Sequence, residues 1–249
     1  MIALKGFKPK LVFKIIMADL LKKEREFVVP GDEIVKSMDY LPGKNCFREG
    51  DSIYSKRLGI VSLSNRVISV IPFNTPYMPH VGDMIIGQVV DVQSNGWLID
   101  AGAPWKAFMP LSGVRGFIDT TKTKLSSIYA TGDILHAKVS AANGDTFQVS
   151  MQDPRARKLK GGEIVKISSA KVPRLIGKQG SMVTMIKNET GCRISIGQNG
   201  LVWFEGENTE LLKKAVETVE KEAYVEGLTD KIEKMLEKGK EKTQSKEKK

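Results

Sequence analysis

Short runs of alternating apolar and polar residues dominate the middle of the chain. Two Asn-Gly pairs, at 95–96 and 143–144, predict tight turns, and a longer polar loop runs from Ser112 to Ala130. Five short strands with one long loop after the third are typical of a small closed barrel of the OB type. The strand-like runs are Met84–Val92, Trp97–Ile99, Lys106–Leu111, Ile134–Ser140 and Thr146–Met151.

Apolar residues at helical spacing appear after residue 160. Glu163–Ser168 still alternates like a strand, but Ser181–Thr190 places apolar residues on one helical face, and Gly191 is suited to end that helix. The pattern predicts the order strand, short helix, helix, strand, strand, helix. A further helix is predicted from about Thr229 to Lys238. After it, Gly239–Lys249 carries no apolar residue and is expected to be disordered.

The segment before the barrel consists of strand-like runs separated by turn residues. Leu58–Leu63 and Val67–Ile71 flank Ser64-Asn65, which predicts a hairpin, and prolines at 72, 76 and 79 end the segment. The chain is therefore predicted to be mainly β plus α+β. Its expected parts are a basic arm (1–23, disordered), a small N-terminal β domain (24–78), a five-stranded barrel (79–153), an α+β domain (160–228) and a C-terminal helix with a disordered basic tail (229–249).

Positive charge is in excess but unevenly distributed. Lys and Arg number 39 against 29 Asp and Glu, a formal charge of +10, which suits a polyanionic partner. Lysine-rich tails would explain most of this excess, since residues 1–23 carry a net +5 and residues 229–249 a net +3, whereas the barrel segment carries a net −2. Two local runs stand out: 154–159 at +3, and the acid-free stretch between Glu163 and Glu189.

Nothing in the sequence suggests an active site. Cys46 and Cys192 belong to no CxxC or Cys/His cluster, which favours a reducing cytoplasm, and His80 and His136 are expected to be structural. No catalytic residue, metal, cofactor or small-molecule substrate is predicted. No apolar run reaches the roughly 18–20 residues of a membrane span, so no membrane partner is expected.

The most specific motif is the GxxG sequence at Gly177–Gly180. Glycines between two helices let an RNA backbone approach closely, and the amides that open the next helix can face a phosphate. Lys178 lies inside the loop and Arg174 just before it. A helix-turn-helix corner would explain the glycines alone, but the surrounding order of elements is that of a KH domain.

The barrel supplies weaker candidates. Trp97 and Phe108 could stack on bases, with Lys106 and Arg115 as phosphate partners, although an aromatic residue on a short strand fills a barrel core equally often. Trp203, on the last strand of the α+β domain, is expected to be packed or at an interface.

Two resemblances follow from these residues. Gly87, Asn95-Gly96-Trp97, Ala107–Ser112 and Val149–Met151 resemble the S-one type of RNA-binding OB domain, although Pro110 stands where many such domains have histidine. The succession of small β domain, S-one domain and single KH domain resembles the ribosomal-RNA-processing protein four family, the RNA-binding cap of the archaeal exosome. Its supporting segments are 29–32, 172–178, 191–192, 199–203 and 227–230.

That resemblance implies a non-catalytic subunit that binds single-stranded RNA. Three copies would sit on a ring of ribonuclease-PH-like subunits, gripping it through the N-terminal domain and guiding the RNA 3′ end inwards. The residues expected to hold the backbone are Lys171, Arg174, Gly177, Lys178, Gln179 and Gly180. Those expected to line the path through the barrel are Trp97, Lys106, Phe108, Arg115, Lys122 and Lys124.

Two alternatives remain open at this stage. A transcription antitermination factor also joins an S-one domain to KH domains, but two in tandem, and only about twenty residues follow this one. A nuclease would need clustered acidic metal ligands, whereas the aspartates of the barrel segment are dispersed at strand ends.

Overall fold

The computed structural model describes residues 20–247, except 117, 120, 121 and 226. The predicted basic arm lies outside this range, apart from residues 20–23. The chain divides between Phe73 and Asn74 into two compact units. Each unit is described by itself. Within the described residues, no helix combines the length and apolar character needed to cross a bilayer.

The N-terminal unit consists of two small sheets around one apolar core. One sheet has the order β1-β6-β7-β3 and the other β2-β5-β4. The strands are β1 (Phe27–Val28), β2 (Glu33–Lys36), β3 (Leu41–Pro42), β4 (Cys46–Glu49), β5 (Ser52–Ser55), β6 (Gly59–Ser64) and β7 (Val67–Pro72). The buried core includes Val28, Ile34, Val35, Ile53, Val61, Ile68 and Val70.

The predicted hairpin is present, with its turn one residue later than expected. β6 and β7 pair from Gly59↔Pro72 to Ser64↔Val67, so Asn65 and Arg66 form the two-residue loop. Their φ angles are 47° and 64°. Two consecutive positive φ values give a type I′ turn, whose twist matches that of the strands. Ser64 therefore belongs to the strand.

The second unit begins with the predicted five-stranded barrel. Its strands are β8 (Met84–Gln93), β9 (Gly96–Asp100), β10 (Ala107–Pro110), β11 (Ile134–Asn143) and β12 (Thr146–Ser150), with α1 (Leu125–Ile128) in the long loop. The order β12-β10-β9-β8-β11 closes through pairing of β12 with β11. A short strand, β13 (Arg157–Leu159), pairs with the first residues of β11 on the edge opposite β8, next to β12.

The KH arrangement follows, in the predicted order. Its elements are β14 (Glu163–Lys166), α2 (Val172–Ile176), α3 (Ser181–Thr190), β15 (Arg193–Ile196), β16 (Leu201–Glu205), α4 (Thr209–Glu222) and α5 (Leu228–Glu247). The antiparallel sheet has the order β14-β16-β15. Its helix-facing side packs on α2, α3, α4 and α5 through a core that includes Leu175, Met182, Ile186, Val202, Phe204, Leu212, Val216 and Ile232.

The last helix is longer than predicted. α5 continues through Gly239 to Glu247, where the sequence predicts a disordered tail after Lys238. Gly239 lies against α4, since a Cβ built at this glycine would be 2.4 Å from Leu211 Cδ1. This contact extends the docked part of the helix, and the Lys and Glu residues beyond it have good helix propensity. The spacing of apolar residues alone reveals neither the contact at Gly239 nor the helix propensity of the residues after it.

The barrel and the KH domain are joined by one buried amide side chain. Asn199, in the turn between β15 and β16, is 5% exposed. Its Nδ2 donates to the carbonyl oxygens of Ile86 (2.6 Å) and Ala101 (2.7 Å), and its Oδ1 accepts from the Ile86 amide (3.2 Å). The Gln198 amide adds a bond to the Met84 carbonyl oxygen (2.7 Å). All these barrel partners are backbone groups of β8 and of the residue after β9.

Apolar contacts surround this amide. Ile86 on the barrel packs with Leu159 and Trp203, each of them buried. Trp203 is 4% exposed and its Nε1 donates to the Gly161 carbonyl oxygen at 2.9 Å. The expectation that Trp203 is packed or at an interface is confirmed. The barrel and the KH sheet therefore share one hydrogen-bonded, apolar interface.

We predict that Asn199→Ala weakens this interface. Three hydrogen bonds are lost and buried backbone groups of Ile86 and Ala101 are left unpaired, so the free energy of unfolding should fall by about 2–4 kcal/mol. Urea denaturation measures this change. Asn188→Ala, on the exposed face of α3, is the matched control and should leave stability unchanged or slightly raised. Equal effects of the two substitutions would contradict the role given to Asn199.

Candidate nucleic-acid interface

The GxxG loop holds a backbone conformation that depends on its glycines. Gly177 has φ 76° and ψ 176°, and Gly180 has φ 80° and ψ 14°. A Cβ at Gly177 would lie 2.7 Å from both the amide nitrogen and the Cβ of Met182. Any other residue at 177 would therefore collide with the first turn of α3. Gln179 between them is also in the left-handed region, with φ 53°.

The helix that follows the loop begins without a side-chain cap. Gly180 is the N-cap residue of α3, no side chain accepts a hydrogen bond from the first amides, and the first turn has no acidic residue. The first amides of a helix lack intrahelical partners and carry the positive end of the helix dipole. An anion placed at the loop would satisfy these donors. The glycines of the loop have no side chains, so they leave room for such an anion.

Two cationic side chains flank these amides. Lys178 is exposed within the loop. Arg174, on α2, is half-buried, and its Nε is enclosed without a hydrogen-bond partner among the described residues. A buried guanidinium nitrogen without a partner is costly unless a ligand or water supplies an acceptor. Both side chains remain candidates for phosphate contacts.

Lys171 does not fit the phosphate-binding role predicted for it. Its Nζ donates to the Glu220 carbonyl oxygen at 2.6 Å and to Glu220 Oε1 at 2.9 Å, and the side chain is only 13% exposed. The ammonium group links the start of α2 to α4, and the Glu220 carboxylate neutralises its charge. Sequence position suggested a cation on the loop side, but a carboxylate 49 residues away in the sequence holds it.

Three apolar side chains, one just before the loop and two on the sheet of the KH domain, are half-buried. Ile176 precedes Gly177, while Ile194 and Ile196 lie on the helix-facing side of β15. All three pack against the KH core and keep part of their surface open. Apolar surface next to phosphate-binding donors is complementary to a splayed single strand, which presents bases on one side and phosphates on the other. These three residues were not among the predicted contacts, because in a strand or helix pattern they look like ordinary core positions.

Trp97 does not stack on bases. Its side chain is fully buried in the barrel core, where Nε1 donates to the Tyr129 carbonyl oxygen at 2.9 Å. The Tyr129 ring packs edge-on at a centroid distance of 5.5 Å. The prediction of an RNA contact for Trp97 is therefore wrong. Residues on β9 alternate between the core and the surface, and Trp97 belongs to the inward set.

Phe108 remains a candidate for base stacking. It pairs with Leu98 on β9 and with Gln148 on β12, and like Leu98 it is half-buried while Gln148 is exposed. Phe108 therefore lies on the outer surface of the barrel rather than in its core. Lys106, directly before β10, is exposed. This part of the predicted site stays a prediction.

The remaining basic residues of the barrel divide into two groups. Arg115 is committed to backbone carbonyls, since its Nε donates to Met151 (2.8 Å) and its Nη2 to Ala156 (3.2 Å), which fixes the segment after β12. Lys122 and Lys124 are exposed, and Lys122 Nζ lies 3.6 Å from Asp119 Oδ2. The lysines stay predicted RNA contacts, whereas the packing of Arg115 favours a structural role.

His136 and the two cysteines, which are residue types that often act in catalysis, lie in unreactive surroundings. Burial, followed by the positive charges of Arg157 and Arg155, lowers the pKa of His136 to about 4. Cys46 and Cys192 are buried, and burial raises the pKa of the Cys46 thiol. Among the described residues, no three His, Cys, Asp or Glu side chains are grouped to hold a metal ion.

Comparison with known proteins places these domains in a family. The family models described as "RRP4, S1 domain" and "KH domain" match residues 76–141 and 162–236. The chain is 42% identical to the exosome complex component Rrp4 of Thermococcus kodakarensis, over 88% of both chains. It is 40% identical to the Rrp4 of Pyrococcus furiosus, over 88% of this chain and 86% of that one. For the Rrp4 of Methanothermus fervidus the identity is 38%, over 87% and 97%.

A solved structure agrees with the sequence relatives. A crystal structure described as a candidate exosome complex RNA-binding protein superposes with a TM-score of 0.60 at 30% identity. The match covers 67% of this chain and 98% of that one. The predicted fold class, with an S-one barrel and a single KH domain, is confirmed.

We predict opposite consequences for two lysines close in sequence. Lys178→Ala should lower the affinity for single-stranded RNA several-fold and reduce the slope of log K against log salt by about 0.7, because one phosphate contact is lost. Its stability should not change. Lys171→Ala should instead lower the free energy of unfolding by about 1–3 kcal/mol, since the charged acceptor Glu220 loses its partner.

Fluorescence anisotropy titrations at several salt concentrations, paired with urea denaturation, separate the two effects. An unchanged salt slope for Lys178→Ala would remove the loop from the RNA site. A reduced slope for Lys171→Ala, with stability intact, would restore the original assignment of that lysine.

Proposed function

Because the chain belongs to the Rrp4 family of exosome components, we propose that it is a non-catalytic cap subunit that recruits single-stranded RNA and guides its 3′ end into a phosphorolytic ring of ribonuclease-PH-like subunits. The main support for this proposal is the structure of the GxxG loop. Its glycines, the α3 N-terminus that no side chain caps, and the adjacent Lys178 and Arg174 combine close backbone approach with phosphate-binding donors. We place this activity in the cytoplasm.

RNA would be held mainly by its backbone. The loop amides and Lys178 take phosphates, and the half-buried surface of Ile176, Ile194 and Ile196 receives the bases. Phe108, Lys106 and Lys124 offer a second, weaker contact on the barrel. With three copies around one pore, weak sites act together by raising the effective concentration of a bound RNA tail.

The N-terminal unit offers an apolar surface for docking on the ring. Phe27 pairs with Ile60, and Ile60 with Ile71, so the three side chains form a row across β1, β6 and β7. Phe27 is 64% exposed and Ile71 41% exposed, and Leu58 nearby is 52% exposed. The Phe27 ring contacts Phe73 at 5.6 Å between centroids. Ile60, in the middle of the row, is only 9% exposed, so the exposed apolar surface consists of Phe27, Ile71 and Leu58. Exposed apolar patches mark protein interaction surfaces.

We predict that the tagged protein, isolated from its source cells at moderate salt, recovers two ribonuclease-PH-like subunits in stoichiometric amounts. Phe27→Glu/Ile71→Glu should abolish this recovery, because two charges would be desolvated in an apolar contact. RNA affinity and thermal unfolding of the isolated variant confirm that it is folded. Val81→Glu, at a 66% exposed apolar residue outside the N-terminal unit, is the control and should retain the subunits.

The same preparation tests the non-catalytic role. The isolated chain should leave labelled RNA intact with Mg²⁺ or with phosphate, and degradation should require the copurified ring. RNA cleavage by the isolated chain would overturn the non-catalytic assignment. Recovery of RNA polymerase in place of ring subunits would overturn the exosome role and leave only RNA binding.

A further inference from the structure

A basic cleft lies along the seam between the barrel and the KH domain. Its volume is about 260 Å³. It is bordered by the segment from β13 to residue 160 and by strands β15 and β16 of the KH sheet. The lining residues are Arg157, Lys158, Leu159, Lys160, Arg193, Trp203 and Glu205. It contains the C-terminal part of the +3 run at 154–159, which the KH loop site leaves without a role.

The cleft is separate from the GxxG loop. On β15, Ile194 and Ile196 face the helices, so Arg193 and Ser195 face the opposite side of the sheet. Arg193 lies opposite Glu205, and Ser195 opposite Trp203. The ten residues of α3, about 15 Å of helix, separate the loop at its start from the turn that precedes Arg193 at its end. One RNA strand would have to leave the KH loop to reach the cleft.

Positive charge in the cleft is only partly neutralised. Lys158 is paired with Asp133. Lys160 is exposed and has no carboxylate within ion-pair distance in the described part of the chain. Arg193 lies 3.6 Å from Glu205 Oε2, with the two side chains 76% and 39% exposed, a contact that solvent screens strongly. These cations retain hydrogen-bond donors for an added anion.

The cations are held on an ordered frame. Arg157 Nη2 donates to Ser195 Oγ at 2.6 Å, which fixes one guanidinium edge. Gly162 has φ 70°, and a Cβ there would lie 2.5 Å from the Phe204 carbonyl oxygen. The segment that carries Lys160 therefore runs tightly against β16. Cations carried on an ordered backbone lose less backbone entropy on binding than lysines of a free tail.

We propose that this cleft is a second RNA site, which binds the phosphates of single-stranded RNA beyond the KH loop. The inference rests on the RNA-binding function proposed above. RNA fits better than an acidic peptide because the apolar walls are closed: Leu159 and Trp203 are each 4% exposed. A peptide would find no apolar anchor there, whereas phosphates need only cationic donors. Without an exposed aromatic surface, the cleft binds RNA without sequence preference.

The test uses the full chain and the double variant Lys160→Ala/Arg193→Ala. Fluorescein-labelled oligoadenylates of four and of about twelve nucleotides are titrated at several salt concentrations, since a KH loop clamps about four nucleotides. For the longer RNA we expect affinity to fall about fivefold to tenfold and the salt slope to fall by about 1.4, two contacts at about 0.7 each. Binding of the short RNA should be unchanged.

Two further variants serve as controls. Lys214→Ala/Lys221→Ala removes the same charge from exposed positions of α4 and should retain the wild-type slope. Lys160→Arg/Arg193→Lys keeps the charge and should also retain it, while thermal unfolding checks that every variant is folded.

Equal slopes for the cleft variant and the α4 variant on the longer RNA would overturn the proposal. So would a cleft variant that binds the longer RNA normally but loses a polyglutamate peptide, because the cleft would then serve an acidic protein. A wild-type chain that binds neither RNA would overturn the RNA-binding function itself, a result distinguishable from failure of the cleft alone.

Discussion

The amide of Asn199 is the contact on which the arrangement of the second unit depends. A side chain from the KH domain satisfies three backbone groups of the barrel, including both polar groups of Ile86, within an interface that Trp203 and Leu159 keep dry. A buried bond of this kind is directional, because its donors and acceptors are satisfied in one orientation only. The GxxG loop, the outer face of β10 and the seam cleft therefore keep fixed relative positions. An RNA strand bound to these surfaces would therefore follow a path set by their fixed positions.

The charges that matter for RNA binding are those of individual groups around the GxxG loop. The net charge of a domain is therefore a poor guide to the position of an RNA site. The KH segment carries a net charge of only +1, yet it contains both the uncapped start of α3 and the Nε of Arg174, which has no hydrogen-bond partner within the described part of the chain. Partial charges of helix amides do not enter a count of lysines and acids. The count also treats Lys171 and Lys178 as equals, although Glu220 neutralises the first and solvent surrounds the second. Binding strength depends on which donors are left over after the fold has used the rest.

Sequence patterns predicted the elements well because each depends on local chemistry. The barrel strands, the order of the KH elements and the αL end of α3 at Gly191 follow from alternation, helical spacing and glycine placement. The site was predicted less completely. The place of the GxxG loop between two helices was predicted correctly, because a glycine pattern records backbone conformation, while its contact with RNA stays a prediction. Trp97 was misplaced because the sequence did not show that its side chain faces the barrel core. Lys171 was misplaced because its partner, Glu220, is distant in the sequence. Local sequence patterns determine neither property. Asn199 was missed for the same reason: its partners lie 113 and 98 residues earlier.

Two kinds of surface then divide the work of the chain. The N-terminal unit exposes a row of apolar side chains and the second unit exposes fixed hydrogen-bond donors, and these surfaces suit different partners. Apolar burial is insensitive to salt, whereas phosphate contacts weaken steeply as salt rises. In the proposed cap role, the chain would therefore stay assembled through the first surface while RNA exchanges at the second. Moderate affinity at each phosphate site would be an advantage in that role, because a strand that moves towards a pore has to be released from each contact in turn.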